Sequence, residues 1–243
     1  MDRPAVAAET GPGHQALRQA AAPGPGLIPA RPGFFRHLAA ACSASGRSLD
    51  RPLRWEAAIT PSHPGVPQRL TFAVERLAIQ PADRLLEIGC GRGLAVALAC
   101  ERLGEAGSIL AIDRSAAMIE AARLRNRGHV ASGKARFQAV SLADAAFAGA
   151  RFDTVFAVNV NLFWIEAARA LAIVRRILAP GGRLHLVYEP PSAAQLSAIV
   201  DKLTASLESN GFALQASEGK AGMPLIGVTA RAVLSPEGVA SHR

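Results

Sequence analysis

A glycine-rich segment, followed at a set distance by an acid, is the part of this sequence best suited to chemistry. The segment Glu87-Ile-Gly-Cys-Gly-Arg-Gly93 lies where an apolar run gives way to a helical pattern, and Asp113 follows twenty residues later. Glycines allow a sharp turn and let a ligand approach the main chain, while the following helix offers free N–H groups. A carboxylate at the end of the next strand can accept hydrogen bonds from both hydroxyls of a ribose. Leu94 stands where a dinucleotide-binding fingerprint needs its third glycine, so that class is excluded.

Alternating strand and helix patterns place these residues in a fold. Short runs of branched apolar residues predict strands, and apolar residues at helical spacing predict helices. The expected strands are Arg84–Gly89, Ser108–Asp113, Ala135–Val140, Phe152–Val158, Arg183–Tyr188, Phe212–Ser217 and Leu225–Val233, and the expected helices are Gln68–Leu77, Leu94–Leu103, Ser115–Asn126, Glu166–Leu178 and Ser192–Ser209. This order predicts an α/β fold: a doubly wound parallel sheet with helices on both faces and an antiparallel hairpin at its end.

The N-terminal part of the chain differs in composition from the rest. Residues 1–33 are rich in Ala, Gly and Pro and are predicted to form a disordered tail, because they can bury too little apolar surface to offset chain entropy. Residues 34–70 predict a helical extension and candidate substrate lid, with Phe34, Phe35 and Trp55 supplying apolar surface. Residues 71–243 form the predicted main domain.

Four motifs, in this order, resemble those of the class I S-adenosylmethionine-dependent methyltransferases, especially the ubiquinone/menaquinone-biosynthesis type and related small-molecule enzymes. They are LLEIGCGRG (85–93), AIDRSAAM (111–118), RFDTVFAVN (151–159) and RILAPGGRL (176–184), and the resemblance covers about residues 70–235. It implies a Rossmann-like sheet of seven strands with the last one antiparallel. It also implies S-adenosylmethionine as the cofactor, bound over the C-terminal ends of the first strands.

The resemblance further implies which residues bind the cofactor. The glycine-rich segment faces the methionine part and the sulfonium, Asp113 binds the ribose, and Arg114 and Met118 border the adenine. The position where the family often has an acid for the adenine amino group holds Ser141; its hydroxyl or the Leu142 backbone can take that role, and Asp144 is the alternative. The full set of expected cofactor-binding residues is Glu87, Gly89, Cys90, Gly91, Gly93, Asp113, Arg114, Met118, Ser141, Leu142 and Asn159.

Residues near the ends of the fourth and fifth strands are expected to open on the acceptor site. Phe163 and Trp164 follow the fourth strand in a predicted loop, and Tyr188 ends the fifth; these three are the predicted substrate pocket. For each, an ordinary structural role in the core or at a strand end remains the alternative. His185 is predicted to be an interior histidine. No catalytic residue is assigned, since methyl transfer needs a base only if the acceptor is protonated.

Composition narrows the function classes. The net charge is +8, but 24 of the 27 basic residues are Arg and 50 residues are Ala, a bias typical of GC-rich coding. Three cysteines without Cys/His ligand spacing predict no metal site. The apolar stretches fall far short of the roughly 20 residues that span a bilayer, so a cytoplasmic protein without membrane contact is expected.

The sequence therefore predicts a methyltransferase that acts on a small molecule. A nucleic-acid methyltransferase is the first alternative, but residues 159–162 read Asn-Val-Asn-Leu rather than the Asn-Pro-Pro-Tyr type, and there is no Pro-Cys pair there. A non-catalytic relative that only binds the cofactor is the second. The identity of the acceptor and the oligomeric state are not predicted.

Overall fold

The structure, a computed structural model, describes residues 65–233, all within the second of the two units into which the chain divides, Pro61–Arg243. The predicted disordered tail lies outside the described residues, as does the predicted extension up to residue 64. The first helix, α1, spans Gln68–Arg76, so the predicted domain boundary between residues 70 and 71 falls within a helix.

The described residues form alternating strands and helices followed by a hairpin. The strands are β1 (Arg84–Ile88), β2 (Ser108–Asp113), β3 (Ala135–Ala139), β4 (Phe152–Val158), β5 (Leu178–Tyr188), β6 (Phe212–Gly219) and β7 (Ile226–Ala232). The helices after α1 are α2 (Leu94–Cys100), α3 (Ala116–Arg125), α4 (Arg127–Ala131), α5 (Leu162–Ile165), α6 (Ala167–Ile177) and α7 (Leu196–Ser209), with one 3₁₀ turn at Ala193–Gln195.

The seven strands form a single sheet in the order β3-β2-β1-β4-β5-β7-β6. Strands β1 to β5 pair in parallel, whereas β7 runs antiparallel to both β5 and β6. The chain order reverses between β1 and β4, and the C-terminal ends of strands on both sides of this point meet at one edge. In sheets of this type ligands bind at that edge, outside the carboxyl ends of the strands. The predicted seven-stranded sheet with an antiparallel last strand is confirmed.

Successive side chains of a strand point to opposite faces of the sheet, and here helices cover both faces. On one face, Leu86 and Val155 pack in a core with apolar residues of α6 and α7. On the other face, Leu85 and Phe156 pack with residues of α1, α2 and α3. The central strands β1 and β4 are therefore buried along most of their length.

Three local features differ from, or add to, the sequence prediction. Helices α4 and α5 are additional, and Phe163 and Trp164 lie in α5 rather than in a loop. Strand β5 begins at Leu178, directly after α6, and its pairing with β4 is irregular before Arg183. The predicted N-cap of α3 is confirmed, because Ser115 Oγ accepts a hydrogen bond from the Met118 N–H at 3.3 Å.

We expect the replacement Gly93→Ala to destabilise the fold. Gly93 has φ +69°, and a Cβ there would lie 2.7 Å from Asn126 Nδ2 and 2.9 Å from Ala122 Cβ. Backbone strain and overpacking together predict a loss of about 2 kcal/mol or more in the free energy of unfolding, measured by urea denaturation. Gly128→Ala, in α4 with no atom within 4 Å of its Cβ position, is the control and should not destabilise. Equal midpoints for the two variants would contradict this packing role.

Candidate functional site

The glycine-rich loop between β1 and α2 is pinned to the end of β2. Its three glycines all have positive φ angles, 74° at Gly89, 51° at Gly91 and 69° at Gly93, a region that residues with a Cβ rarely adopt. The N–H groups of Gly89 and Cys90 both donate to the Ile112 carbonyl, at 2.8 and 3.1 Å. The loop thus turns tightly across the carboxyl ends of the two strands.

The three glycines meet different surroundings. A Cβ on Gly89 would lie 2.6 Å from Val160 Cγ2, and one on Gly93 would collide with α3 and Asn126. Around Gly91 there is no atom within 4 Å of the Cβ position, so its main chain borders open space. Two of the glycines are therefore required by packing, whereas Gly91 leaves the main chain accessible to a ligand.

The Asp113 carboxylate closes this arrangement. Its Oδ2 accepts the Gly91 N–H at 2.9 Å and its Oδ1 accepts the Ser115 N–H at 2.9 Å. The side chain is only partly buried, and each carboxylate oxygen keeps a second lone pair. Asp113 thus joins the end of β2 to the glycine-rich loop and to the start of α3, and can still accept hydrogen bonds from a ligand.

Glu87, in β1 just before the loop, is 2% exposed, and its Oε2 has no hydrogen-bond partner. Burial, together with the nearby charge of Asp113, raises the pKa of Glu87 from 4.5 to about 8. Burial and the same two acids also raise the pKa of the Cys90 thiol well above its ordinary value. At neutral pH Glu87 is therefore protonated and Cys90 is a thiol, which limits repulsion between the acids.

A cavity of about 850 Å³ opens beside Asp113; we call it the large cavity. It runs along the carboxyl ends of β1, β2 and β4 and is closed on one side by α5 and α6. Its lining includes the predicted residues Gly89, Asp113, Arg114, Ser141, Leu142 and Asn159. The other predicted cofactor-binding residues, Glu87, Cys90, Gly91, Gly93 and Met118, lie outside this lining; Met118 is 39% exposed on α3.

Ser141 and Asp144 act as a pair in the wall of the large cavity. Ser141 Oγ donates to Asp144 Oδ2 at 2.5 Å, and the Asp144 N–H in turn donates to Ser141 Oγ at 3.3 Å. Leu142 between them is buried, and it lines the cavity together with Ile112 and Val140. This wall therefore offers apolar surface flanked by a carboxylate, suited to a flat ring that carries an amino group.

A second cavity of about 500 Å³, the small cavity, shares Asn159 and Asn161 with the large one. The remaining residues of its lining are Trp164, Tyr188, Glu189, Pro190, Pro191, Gln195, Ala198, Ile199 and Lys202. It lies at the carboxyl ends of β4 and β5, next to the start of α7. The two shared asparagines make the cavities neighbours along one edge of the sheet.

Two aromatic residues form a wall of the small cavity. The rings of Trp164 and Tyr188 lie with their centroids 4.4 Å apart at 40°. The Tyr188 hydroxyl donates to the Val160 carbonyl at 2.6 Å, and burial raises the pKa of this phenol above its ordinary range. Tyr188 is therefore a fixed neutral wall rather than a base. Phe163, the third predicted pocket residue, is fully buried in the core and lines neither cavity.

Hydrogen bonds hold the end of β5 beside that wall. Asn159 has φ +56°, and its Oδ1 accepts the Glu189 N–H at 2.8 Å, while its own N–H donates to the Val187 carbonyl. The Glu189 carboxylate forms an ion pair with Arg69 of α1 at 2.9 Å. Asn159 thus ties β4 to β5 at the point where the two cavities meet.

His185 takes no part in either cavity. It is 3% exposed, its Nδ1 lies 2.7 Å from Thr229 Oγ1, and burial with the charges of Arg76 and Arg183 lowers its pKa to about 4. The prediction of an interior histidine is confirmed.

Within residues 65–233 there is no cluster of side chains suited to a metal ion, and no helix there is long and apolar enough to cross a membrane.

Sequence reasoning missed the contribution of α6 and α7 to the cavities. Glu166, Arg169 and Ile173 line the large cavity, and Gln195, Ala198, Ile199 and Lys202 line the small one. Their three- and four-residue spacings are visible in the sequence. An ordinary amphipathic helix gives the same pattern, so the spacing alone does not identify a cavity wall.

Known proteins resemble this chain in sequence and in fold. Residues 85–182 match the model of a family described as a methyltransferase domain. Nocamycin O-methyltransferase from Saccharothrix syringae is 33% identical over 117 residues, which are 46% of this chain and 41% of that protein. Protein-L-isoaspartate O-methyltransferase from Methylorubrum populi is 33% identical over 173 residues, 67% of this chain and 70% of that protein.

Solved structures share the fold at low identity. A SAM-dependent methyltransferase from Aquifex aeolicus superposes with a TM-score of 0.58 and 16% identity, covering 68% of this chain and 89% of that one. This likeness concerns the fold alone. The chain spans less than half the length of the first curated relatives that it matches.

We expect Glu87 to give the fold a pH dependence with a defined sign. An unfolded Glu loses its proton near 4.5, whereas the folded protein keeps it up to about 8. The folded state therefore binds the extra proton in this window, and the free energy of unfolding falls as pH rises, by up to about 1.4 kcal/mol per unit. Urea denaturation between about pH 5 and pH 8 should show a shallower fall for Glu87→Gln than for the wild type. Glu105→Gln, at an exposed site, is the control; an unchanged slope in Glu87→Gln would contradict the assignment.

Proposed function

Because the chain belongs to the class I S-adenosylmethionine-dependent methyltransferases, we propose that it transfers a methyl group from S-adenosylmethionine to a small-molecule acceptor. One observation carries the proposal: the large and small cavities share Asn159 and Asn161 at the carboxyl edge of the sheet. A methyl donor in one cavity and an acceptor in the other can meet there. The ubiquinone/menaquinone type within the class stays a prediction.

The large cavity fits S-adenosylmethionine in size and in the chemistry of its lining. Its volume of about 850 Å³ lies in the range usual for ligand sites. Each Asp113 oxygen accepts one backbone N–H and has a lone pair left for a ribose hydroxyl. Gly91 lies outside the lining of this cavity, and the methionine part is proposed to extend from the cavity into the open space beside it.

The adenine is proposed to lie between Leu142 and the start of α3, with Arg114 at its border. The adenine amino group donates hydrogen bonds, and Asp144 is a better acceptor for it than Ser141, because Ser141 Oγ already accepts the Asp144 N–H. Asp144 keeps its second oxygen, Oδ1, for the ligand. Ser141 then orients the carboxylate, which accounts for a serine at the position where the family often has an acid.

The small cavity is proposed to hold the acceptor. Trp164 and Tyr188 supply a rigid aromatic wall, and Asn161 and Gln195 supply polar side chains for which the structure records no partner among residues 65–233. Its volume of about 500 Å³ lies in the range usual for small-molecule sites. An oxygen nucleophile is proposed, since the curated relatives include several named O-methyltransferases.

The residues of this chain act mainly by positioning. When bound, the cofactor supplies an activated methyl group, so in-line placement of the acceptor provides much of the rate. Asn159 holds the junction of the two cavities in place through its bond to the Glu189 N–H. Tyr188 and the proline pair line the acceptor side with carbon-rich surface. Glu189 is the carboxylate of the small cavity, and its ion pair with Arg69 fixes its position.

We expect Asp113→Ala to weaken the binding of S-adenosylmethionine by about 1.5–3 kcal/mol, the scale of hydrogen bonds to a charged group. Isothermal titration calorimetry measures the change. Asp153→Ala is the matched control. Asp153 also accepts a backbone N–H, that of Arg84 at 2.8 Å, but Arg84 is at the amino end of β1, away from the cavities. An affinity in Asp113→Ala equal to that of the control would rule out the ribose assignment.

We expect Trp164→Ala to separate acceptor binding from cofactor binding. Loss of the aromatic wall should reduce methyl incorporation from labelled cofactor into metabolite extracts by about tenfold or more, while S-adenosylhomocysteine affinity changes by less than about twofold. The control is Phe147→Ala, which removes a partly buried ring packed on Phe152 and away from both cavities. If both variants keep full incorporation, the small cavity is not the acceptor site.

A further inference from the structure

The charges around the small cavity point to the class of acceptor, an inference that rests on the function proposed above. Of the described residues that line it, two are charged, Glu189 and Lys202. The Glu189 carboxylate is already paired with the Arg69 guanidinium at 2.9 Å, and both side chains are partly buried. The negative charge in the cavity wall is therefore balanced by the protein itself.

Lys202 has no such partner. Its ammonium forms no hydrogen bond or ion pair with any residue in the described part of the chain, and the side chain is exposed. Asp201 precedes it on α7, but consecutive helical residues point about 100° apart, and Asp201 is not part of the cavity lining. Among residues 65–233, the lining of the small cavity thus carries one uncompensated positive charge.

The position of Lys202 on α7 directs it to the cavity. Gln195, Ala198, Ile199 and Lys202 follow one another at intervals of three, one and three residues, which places them on one side of the helix and the turn before it. Ala198 and Ile199 give an apolar floor, and the two polar residues stand at its ends. The cavity therefore has an apolar middle, lined by Ala198, Ile199 and the Trp164 ring, with a cation at one end.

We propose that the acceptor is a flat small molecule that bears an anionic group, a carboxylate or a phosphate, bound by Lys202 at the end of the small cavity. The apolar middle accommodates a ring or planar chain against Trp164. A cationic amine fits less well, because the carboxylate that would attract it, Glu189, is held by Arg69. Lys202 is a specificity-determining residue in this proposal and not part of the chemistry of methyl transfer.

The test compares acids with their neutral amides in the presence of saturating S-adenosylhomocysteine. The probes are salicylate against salicylamide, and caffeate against caffeamide, titrated by calorimetry at low ionic strength. The wild type should bind each acid about tenfold more tightly than its amide, the scale of one hydrogen-bonded ion contact. Lys202→Gln should reduce this ratio to within about twofold, and Lys202→Glu should invert it. Lys220→Gln, a lysine that lines neither cavity, should keep the wild-type ratio.

Three results would overturn the proposal: equal affinity of the wild type for acids and amides, no saturable binding of either acid, or an acid preference that survives in Lys202→Gln. The S-adenosylhomocysteine titration separates this inference from the proposed function. If that ligand binds the wild type but no acid preference exists, only the anionic acceptor is wrong. If it does not bind, the proposed function fails and this inference fails with it.

Discussion

Two backbone N–H groups, of Gly91 and Ser115, converge on the carboxylate of Asp113, and the arrangement of the site depends on this contact. It fixes the glycine-rich loop over the end of β2 and orients the start of α3 in the same step. The loop has positive φ angles and little packing at Gly91, so the carboxylate supplies a restraint that sterics alone would not. Each of the two oxygens retains a lone pair, and one residue can therefore both hold the glycine-rich loop in place and bind a ligand.

The rest of the site follows from the position where the chain order of the sheet reverses. There β1 and β4 end side by side, and β4 leads to Asn159, whose φ of +56° is tolerated because asparagine adopts this region more readily than most residues. Its side chain reaches the Glu189 N–H and so connects the ends of β4 and β5. The large cavity lies on one side of this junction and the small cavity on the other, so the proposed function places the methyl donor and the acceptor at neighbouring positions.

The strands, the glycine-rich turn and the acid at the end of β2 could be predicted from sequence, because apolar runs ending in glycine, and an acid after the second run, are local patterns. The binding of a ribose by that acid stays a prediction. The separate roles of the glycines could not be predicted from sequence. Gly93, for example, is required because a Cβ there would collide with Asn126, a residue distant in the sequence. The same holds for Phe163, predicted for the acceptor pocket but turned into the core by helix α5. The charge balance of the small cavity was also out of reach, since Arg69 and Glu189 are 120 positions apart and meet only after folding.

The central claim is that the methyl donor and the methyl acceptor meet at Asn159. A crystal structure of the protein with S-adenosylhomocysteine would test it most directly. We expect the ribose hydroxyls within about 3 Å of the two Asp113 oxygens, the adenine beside Leu142 and Asp144, and the thioether sulfur facing the small cavity next to Asn159. A ligand bound with its sulfur turned away from the small cavity, or bound elsewhere than the large cavity, would contradict this account.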